Sequence, residues 1–154
     1  MRKIPITPTR KSNSGTPDKD ILMEETLQHI NDVKLVTKLM TDTMRDSVLK
    51  HDYTKTEYFN EFYEAFLWHS MGARFADSAW WEKHLAERHH LNDRVPNEVN
   101  LFDVLEMIAD CICAGLARSG SVYDITIKPD VLQKAFENTV TFILQNVEVQ
   151  DENK

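Results

Sequence analysis

Glycine and proline are scarce in this chain, with four glycines and five prolines among 154 residues. Sandwiches and barrels built from many short strands need such residues at their turns, so this scarcity argues against them. Hydrophobic residues make up 42% of the chain and charged residues 28%, which is typical of a globular protein. We therefore expect one domain, long enough to bury a core.

Long hydrophobic runs are also missing. No apolar stretch approaches the roughly 20 residues that a membrane-spanning helix needs. The first residues lack the apolar segment of a signal peptide, so we expect a cytoplasmic protein without membrane contact. The two cysteines, Cys111 and Cys113, are two residues apart and point to different sides of a helix. We expect no disulfide between them and interpret both as small buried hydrophobic residues.

The net charge of −7 is distributed unevenly along the chain. Residues 1–17 carry four basic side chains and no acid, so the rest of the chain carries −11. We predict a flexible basic tail at 1–17, which could alternatively bind a polyanion, and a frayed acidic tail at 148–154. Because phosphate contacts dominate binding to duplex nucleic acid, the acidic body argues against such a partner.

Hydrophobic periodicity predicts an all-α domain at 18–147 with about five main helices. Their expected ranges are 18–50, 57–68, 78–89, 101–118 and a last helix that Pro129 opens. The first helix could break near Thr41–Thr43. His29 is expected to face inward, because it precedes Val33 by four residues and Val36 by seven. The apolar stripe expected to face the core comprises Leu22, Met23, Ile30, Val33, Val36, Leu39 or Met40, and Met44. The aromatic stripe of the second helix is likewise expected to be core: Phe59, Phe62, Tyr63, Phe66 and Leu67.

Local signals place the ends of the later helices. Ser78 and Asn100 are expected N-caps, and Asp103 lies in the first turn of the fourth helix. Ser119-Gly120 is expected to end that helix. Residues 91–99 are expected to form a loop, and residues 123–127 a short extended piece. The expected buried side of the fourth helix comprises Leu101, Val104, Leu105, Ile108, Cys111 and Ile112.

Histidines and carboxylates recur in an order that suggests a metal site. His51-Asp52 lies where one helical pattern ends and the next begins. Each such residue alone could be a hydrogen-bonded core histidine or a solvated acid. Together they are the ligand types that Zn²⁺, Mn²⁺ and Fe²⁺ prefer. The candidate metal ligands are His29, His51, Asp52, His84, His89, His90 and Asp110.

The order His29, His51-Asp52, Asp110 resembles that of the HD-domain superfamily of metal-dependent phosphohydrolases. His51-Asp52-Tyr53-Thr54-Lys55 is similar to the HD-x-x-K form of its central motif. The resemblance covers residues 20–145 and implies an HD-like helical bundle. Trp81-x-x-His84, His89-His90 and the segment 101–110 are also similar to small phage and bacterial proteins with an HD-like pattern. That likeness implies the cytosol of a bacterium or of a phage-infected host.

The resemblance implies that His29, His51, Asp52 and Asp110 hold a first metal ion. Asp52 would bridge to a second ion held by His84 and the pair His89-His90. One or two divalent ions are implied, with Mn, Fe, Zn, Ni or Mg as candidates. The segment after the histidine pair, LNDRVPNE, lacks the Gly-Tyr-Pro of cyclic-dinucleotide hydrolases, which argues against a cyclic-dinucleotide substrate.

The implied activity is hydrolysis of a nucleotide or related phosphate ester by metal-activated water. Lys55 is the first candidate for a catalytic cation that also binds the phosphate. Glu57 or Glu106 would accept a proton or orient a ligand histidine. Further candidates for phosphate contacts are Arg88, Arg94, Arg118 and Lys128. His69 falls outside the pattern and is interpreted as a partly buried structural histidine.

Two other functions remain open from the sequence. One is an HD-like module that binds a nucleotide without turnover, as a sponge would. The other is a helical partner-binding protein whose histidines are satisfied by hydrogen bonds. The apolar side of the last helix could serve either the core or a homodimer.

Overall fold

The computed structural model describes residues 3–9 and 18–150. It confirms the all-α prediction with six α-helices in this part of the chain. They are α1 (Lys19–Val48), α2 (Tyr53–Glu57), α3 (Phe59–Ser70), α4 (Ala79–His84), α5 (Leu101–Ser119) and α6 (Pro129–Asn146). A 3₁₀ turn spans Phe75–Asp77, and two short strands are β1 (Ile4–Ile6) and β2 (Val147–Val149). Throughout these residues, every helix is too short or too polar to span a bilayer.

The described part of the chain divides into two compact units. The first comprises the described parts of residues 1–44 and 139–154. Within it, β1 and β2 pair in parallel, with Ile4 opposite Val147. The buried carboxylate of Asp32 accepts a hydrogen bond from the backbone of Thr7 at 3.1 Å. Parts of both predicted tails are therefore strands, Ile4–Ile6 in one and residues 148–149 in the other, while residues 1–2, 10–17 and 151–154 lie outside the described residues.

The second unit comprises residues 45–138 and contains the buried hydrophobic cluster. Its members come from the segment before α5, from α5 and from the start of α6: Leu91, Val99, Val104, Met107, Val131 and Ala135. The segment 91–99 is a loop, as predicted, and is anchored by its two buried ends. The Asn138 amide donates to the carbonyl of Val99 at 2.8 Å, which ties α6 to that loop.

The local capping predictions are confirmed. The Ser78 side chain accepts from the backbone of Trp81 at the start of α4. Asn100 and Asp103 form a reciprocal capping box at the start of α5. Gly120 ends α5 with a positive φ of 74°, a conformation that glycine adopts without strain. α4 ends at His84, five residues earlier than expected, so His84 and the pair His89-His90 lie on separate short turns.

Several predictions of burial are wrong. On α1, which continues without a break, Leu22, Met23, Ile30 and Val33 are 43–56% exposed, whereas the later members of the predicted stripe are half-buried: Val36, Leu39, Met40 and Met44. The aromatic stripe of α3 is largely exposed except for half-buried Phe62, and Leu105 and Ile112 on α5 are exposed as well. Periodicity identifies the apolar side of a helix but not what covers it, which explains these errors. Residues 123–127 form no strand, and Cys113 is exposed, although both cysteines are free as expected.

Candidate metal centre

Asp52 occupies an unusual backbone conformation directly after α1. Its φ of 56° and ψ of 24° lie in the left-handed region, where aspartate and asparagine are enriched among residues other than glycine. The buried carboxylate of Glu87 accepts from the backbone of Asp52 at 2.8 Å and from that of Thr54 at 3.0 Å. These contacts hold the turn at Asp52 and so fix where its side chain points.

Three groupings of side chains bring ligand-type atoms within 4.8 Å of one another. Since His51 and Asp52 each belong to two of them, the groupings form one cluster, which we call the histidine–aspartate cluster. Every member lies in the second unit. The groupings are His51 with His89 and Glu106, His51 with Asp52 and Asp110, and Asp52 with His84 and Glu87.

The Nε2 atoms of three histidines face the carboxylate of Asp52. His84 Nε2 lies 3.8 Å and His89 Nε2 4.0 Å from Asp52 Oδ1. His51 Nε2 lies 3.5 Å from Asp52 Oδ2 and 3.5 Å from Asp110 Oδ1. Atoms that ligate one cation at about 2.1 Å lie roughly 3–4 Å apart, so these spacings suit shared ligation.

Two polar atoms at the centre of the cluster are buried without a hydrogen-bond partner: Asp52 Oδ1 and His89 Nε2. Burying polar groups without a partner is costly, and such atoms in a native fold call for an explanation. A cation bound between them would satisfy both. The residues present therefore fit a divalent metal ion.

Buried carboxylates hold the other nitrogen of these histidines. Glu106 Oε1 lies 3.0 Å from His51 Nδ1 and 3.3 Å from His89 Nδ1. An ionised carboxylate only accepts hydrogen bonds, so Nδ1 carries a proton, and in the neutral ring the Nε2 lone pair is the one that a metal ion can use. Ser47 donates to the second oxygen of Glu106 at 2.7 Å, which helps to fix the carboxylate.

His84 is oriented in the same way by a different acid. Its Nδ1 lies 2.9 Å from the hydroxyl of Thr54 and 3.3 Å from Glu87 Oε1. The Thr54 hydroxyl in turn donates to Glu87. Although burial opposes it, these hydrogen bonds lower the pKa of Glu87 to about 2. Histidines that bind metals commonly donate their second nitrogen to a carboxylate in this manner.

The surroundings of the cluster shift the pKa values of two of its neighbouring histidines in opposite directions. In the metal-free protein, hydrogen bonds to Asp110 and Glu106 raise the pKa of His51 to about 10, so both ring nitrogens are protonated at pH 7 and a metal ion would have to displace the proton on Nε2. Burial, helped by the neighbouring His89 and His84, lowers the pKa of His90 to about 4 and keeps that ring neutral at pH 7. His90 Nε2 lies 2.9 Å from His84 Nε2, close enough for both to contact one ion.

The cluster includes most of the predicted ligands but not His29. The predicted ligands in the groupings are His51, Asp52, His84, His89 and Asp110, and His90 adjoins them through its contact with His84 Nε2. His29 belongs to the first unit, is exposed on α1 and joins none of the groupings, so its predicted inward orientation is wrong. Of the two apolar residues on which that prediction relied, Val33 is 49% exposed and Val36 is half-buried.

The two candidate glutamates have different surroundings. Glu106 is buried, so the interpretation as a solvated acid is excluded, and its contacts make it a residue that positions His51 and His89. Glu57 is exposed at the end of α2 and joins none of the groupings. The sequence analysis missed Glu87, although its position three residues after His84 on a helical turn was a signal for a paired role.

The lysine and arginine side chains predicted to bind phosphate have different surroundings. Lys55 donates to Asp52 Oδ2 at the edge of the cluster. The Arg88 guanidinium donates two 2.8 Å hydrogen bonds to the buried carboxylate of Asp103, so its predicted role in phosphate binding is not supported and its role is structural. Arg94 and Lys128 are exposed, as is His69, which we expected to be partly buried. Arg118, on the last turn of α5, lines a cavity together with Lys55.

Comparisons of the chain with models of protein families, with curated proteins and with solved structures gave no match.

Proposed function

We propose that the second unit is a metal-dependent phosphohydrolase that acts on a nucleotide or a related phosphate ester. The observation that carries the proposal is the pair of buried, unpartnered atoms Asp52 Oδ1 and His89 Nε2. The Nε2 atoms of His51 and His84 face the same carboxylate while their Nδ1 atoms are held by acids. Ligands oriented in this way favour one or two divalent ions, with Mn, Fe, Zn, Ni or Mg as candidates.

A bound divalent ion lowers the pKa of a coordinated water towards about 7 and polarises phosphoryl oxygens. The chain's own residues would then bind and orient the ester. Lys55, held at the cluster by Asp52, supplies positive charge for the phosphoryl group. Glu106 and Glu87 keep the histidines in the tautomer that ligation needs. The water oxygen bonds to phosphorus as the phosphorus–oxygen ester bond breaks, which yields an alcohol and inorganic phosphate.

The first experiment is elemental analysis of the protein purified without chelator. The informative variant is Asp52→Asn, because asparagine tolerates the left-handed backbone of this position and retains the backbone hydrogen bond to Glu87. Asp46→Asn, on an exposed position of α1, is the matched control. We expect about one or two equivalents of metal in the wild type and the control, and loss in Asp52→Asn.

Phosphate release is measured next, with the metal-loaded protein and a panel of nucleotides. We expect release from the wild type and the Asp46→Asn control but not from Asp52→Asn. Asp52→Ala should lose both metal and activity while retaining most of its helix content. Full metal occupancy in either Asp52 variant would overturn the assignment of the ligands. Absence of metal in the wild type, even after addition of Mn²⁺, would overturn the proposed function.

A homodimer is a separate proposal. Leu132 and Phe136 on α6 are 41% and 54% exposed, and single-domain proteins rarely leave large apolar areas uncovered. Light scattering coupled to gel filtration measures the mass directly. A monomer at micromolar concentration would contradict this proposal without affecting the metal site.

A further inference from the structure

A cavity of about 420 Å³ adjoins the histidine–aspartate cluster within the second unit. His84, His90 and Asp110 form part of its wall, so a molecule in the cavity would lie directly beside the candidate metal ligands. The volume falls in the range of about 300–1,000 Å³ that is usual for small-molecule sites. The cavity therefore has the size and the position of a substrate site.

Aromatic side chains make up much of the cavity wall. Trp81, Phe75 and Tyr123 line it. The Trp81 ring lies 6.0 Å from the His90 ring and 5.7 Å from the Phe75 ring, so it bridges the aromatic wall and the cluster. Aromatic side chains of this kind stack on nucleobases, because every base offers a flat π-face.

The cationic charge of the cavity is small. Among the described residues that line it, Lys55 and Arg118 are the only lysine or arginine side chains, and Lys55 already pairs with Asp52. Arg118 has no ion-pair partner within the described part of the chain. Asp110, on the same wall, adds negative charge. Together with the candidate metal ion, the Lys55 and Arg118 side chains match one phosphate group of charge near −2, and the described lining residues include no further lysine or arginine to contact a second and a third phosphate.

We propose that the cavity binds a nucleoside monophosphate. The phosphate lies at the cluster beside Lys55, and the base packs against Trp81 and Tyr123. Arg118 supplies the second positive charge. This inference rests on the proposed function and narrows its substrate class. In the reaction, the water oxygen bonds to phosphorus and the bond to the 5′ oxygen breaks, which releases a nucleoside and inorganic phosphate without a further reactant.

The test is equilibrium binding to the Mn²⁺-loaded protein, measured by calorimetry under conditions that prevent turnover, with Ca²⁺ as an alternative ion. The probes are AMP, GMP, CMP and UMP, with ribose 5-phosphate as the analogue that lacks a base and ATP as the triphosphate. We expect at least one monophosphate to bind about tenfold to a hundredfold more tightly than ribose 5-phosphate. We expect ATP to bind no more tightly than AMP.

Trp81→Leu tests the aromatic wall, with Trp68→Leu as a matched control at a position that is 68% exposed and outside this cavity. We expect Trp81→Leu to weaken monophosphate binding about tenfold to a hundredfold while leaving ribose 5-phosphate binding and metal content unchanged. The exposed position of Arg118 makes Arg118→Gln a second variant that should fold normally. Arg118→Gln should weaken the binding of AMP and the binding of ribose 5-phosphate to the same extent.

The inference would be overturned if none of the four monophosphates bound more tightly than ribose 5-phosphate, if ATP bound more tightly than all four of them, or if none of the four bound. These outcomes are distinct from failure of the proposed function, which is loss of the metal site or absence of phosphate release. Base-selective binding without phosphate release would retain the nucleoside monophosphate as ligand and favour a binding module over an enzyme.

Discussion

Glu106 Oε1 lies 3.0 Å from Nδ1 of His51, and the same buried oxygen lies 3.3 Å from Nδ1 of His89. One carboxylate therefore fixes the ring orientation and the tautomer of two candidate ligands. We expect Glu106→Gln, which has the same shape but no charge, to weaken Mn²⁺ or Zn²⁺ binding about tenfold to a hundredfold. A competition titration against a chelating dye measures this change.

Ser47→Ala is the control for Glu106→Gln. It removes the hydrogen bond to the other oxygen of Glu106 but leaves both histidine contacts in place. We expect its metal affinity to stay within about threefold of the wild type, because the ligand tautomers do not change. Equal affinity of Glu106→Gln and the wild type would show that Glu106 does not position the ligands.

Metal binding should stabilise the fold by linkage. An ion that binds only the folded state, at about 100 times its Kd, adds roughly 2.7 kcal/mol to the free energy of unfolding. We expect Mn²⁺ to raise the midpoint of thermal unfolding of the wild type and chelator to lower it. The midpoint of thermal unfolding of Asp52→Asn should change with neither Mn²⁺ nor chelator. Insensitivity of the wild type to chelator would instead favour the partner-binding alternative, in which hydrogen bonds alone satisfy the histidines.

The metal-free protein should show two separate dependences of stability on pH. The pKa of His51 is raised from 6.5 to about 10, so its contribution is fully present below pH 6.5 and is lost as the pH rises towards 10. The pKa of Glu87 is lowered from 4.5 to about 2, so its contribution is present above pH 4.5 and is lost as the pH falls towards 2. Urea unfolding in chelator, from pH 3 to pH 10, measures both.

His51→Gln tests the alkaline limb. It should flatten the decrease in stability between pH 6.5 and pH 10. It should also reduce the part of the acidic limb that comes from Asp110 and Glu106, because the hydrogen bond from His51 lowers the pKa of Asp110 and, against the effect of burial, that of Glu106. The part that comes from Glu87 should remain, because Glu87 contacts His84 and Thr54 rather than His51. An alkaline limb as steep in the variant as in the wild type would mean that another group is responsible.

The ends of the helices could be predicted because their signals are local. Ser78, Asn100 and Gly120 act on backbone groups within a few residues, and each does what its type favours. Burial could not be predicted in the same way. Leu22 and Val33 follow a helical period, yet both are about half exposed, because what covers a helix depends on distant parts of the chain.

The residue types of the candidate site could be predicted from the sequence more completely than their positions in the fold. His51, Asp52 and Asp110 were chosen by residue type and order, and the fold brings them together. His29 was chosen by the same criteria but is exposed. Glu87 was missed because its role depends on accepting hydrogen bonds from the backbone of Asp52 and Thr54, more than 30 residues earlier.

Arg88 should matter for stability and not for phosphate binding. Its guanidinium is the bidentate partner of Asp103, which is 1% exposed and also closes the capping box of α5. Arg88→Met should lower the free energy of unfolding by roughly 1–3 kcal/mol, because it leaves a buried carboxylate with too few donors.

Arg94→Met, at an exposed position, should change the free energy of unfolding by less than about 0.5 kcal/mol. Metal affinity unchanged in both variants would agree with this assignment, whereas a selective loss of phosphate binding in Arg88→Met would contradict it.

Gly115 determines how closely the segment after α5 approaches that helix. A Cβ atom at this buried position would lie 2.5 Å from the Tyr123 nitrogen and 2.6 Å from the Ser121 carbonyl oxygen, and both are backbone atoms that cannot move aside independently. Gly115→Ala should therefore displace the segment that carries Tyr123, at a cost of about 1–3 kcal/mol, despite the better helix propensity of alanine. Cys113→Ala, exposed on the same helix, should leave the free energy of unfolding nearly unchanged.

Because Tyr123 lines the cavity beside the cluster, Gly115→Ala should also weaken AMP binding more than metal binding. Chemical denaturation and calorimetry of the two variants measure both effects, and a Gly115→Ala protein as stable as the wild type would show that this close approach is not maintained in solution.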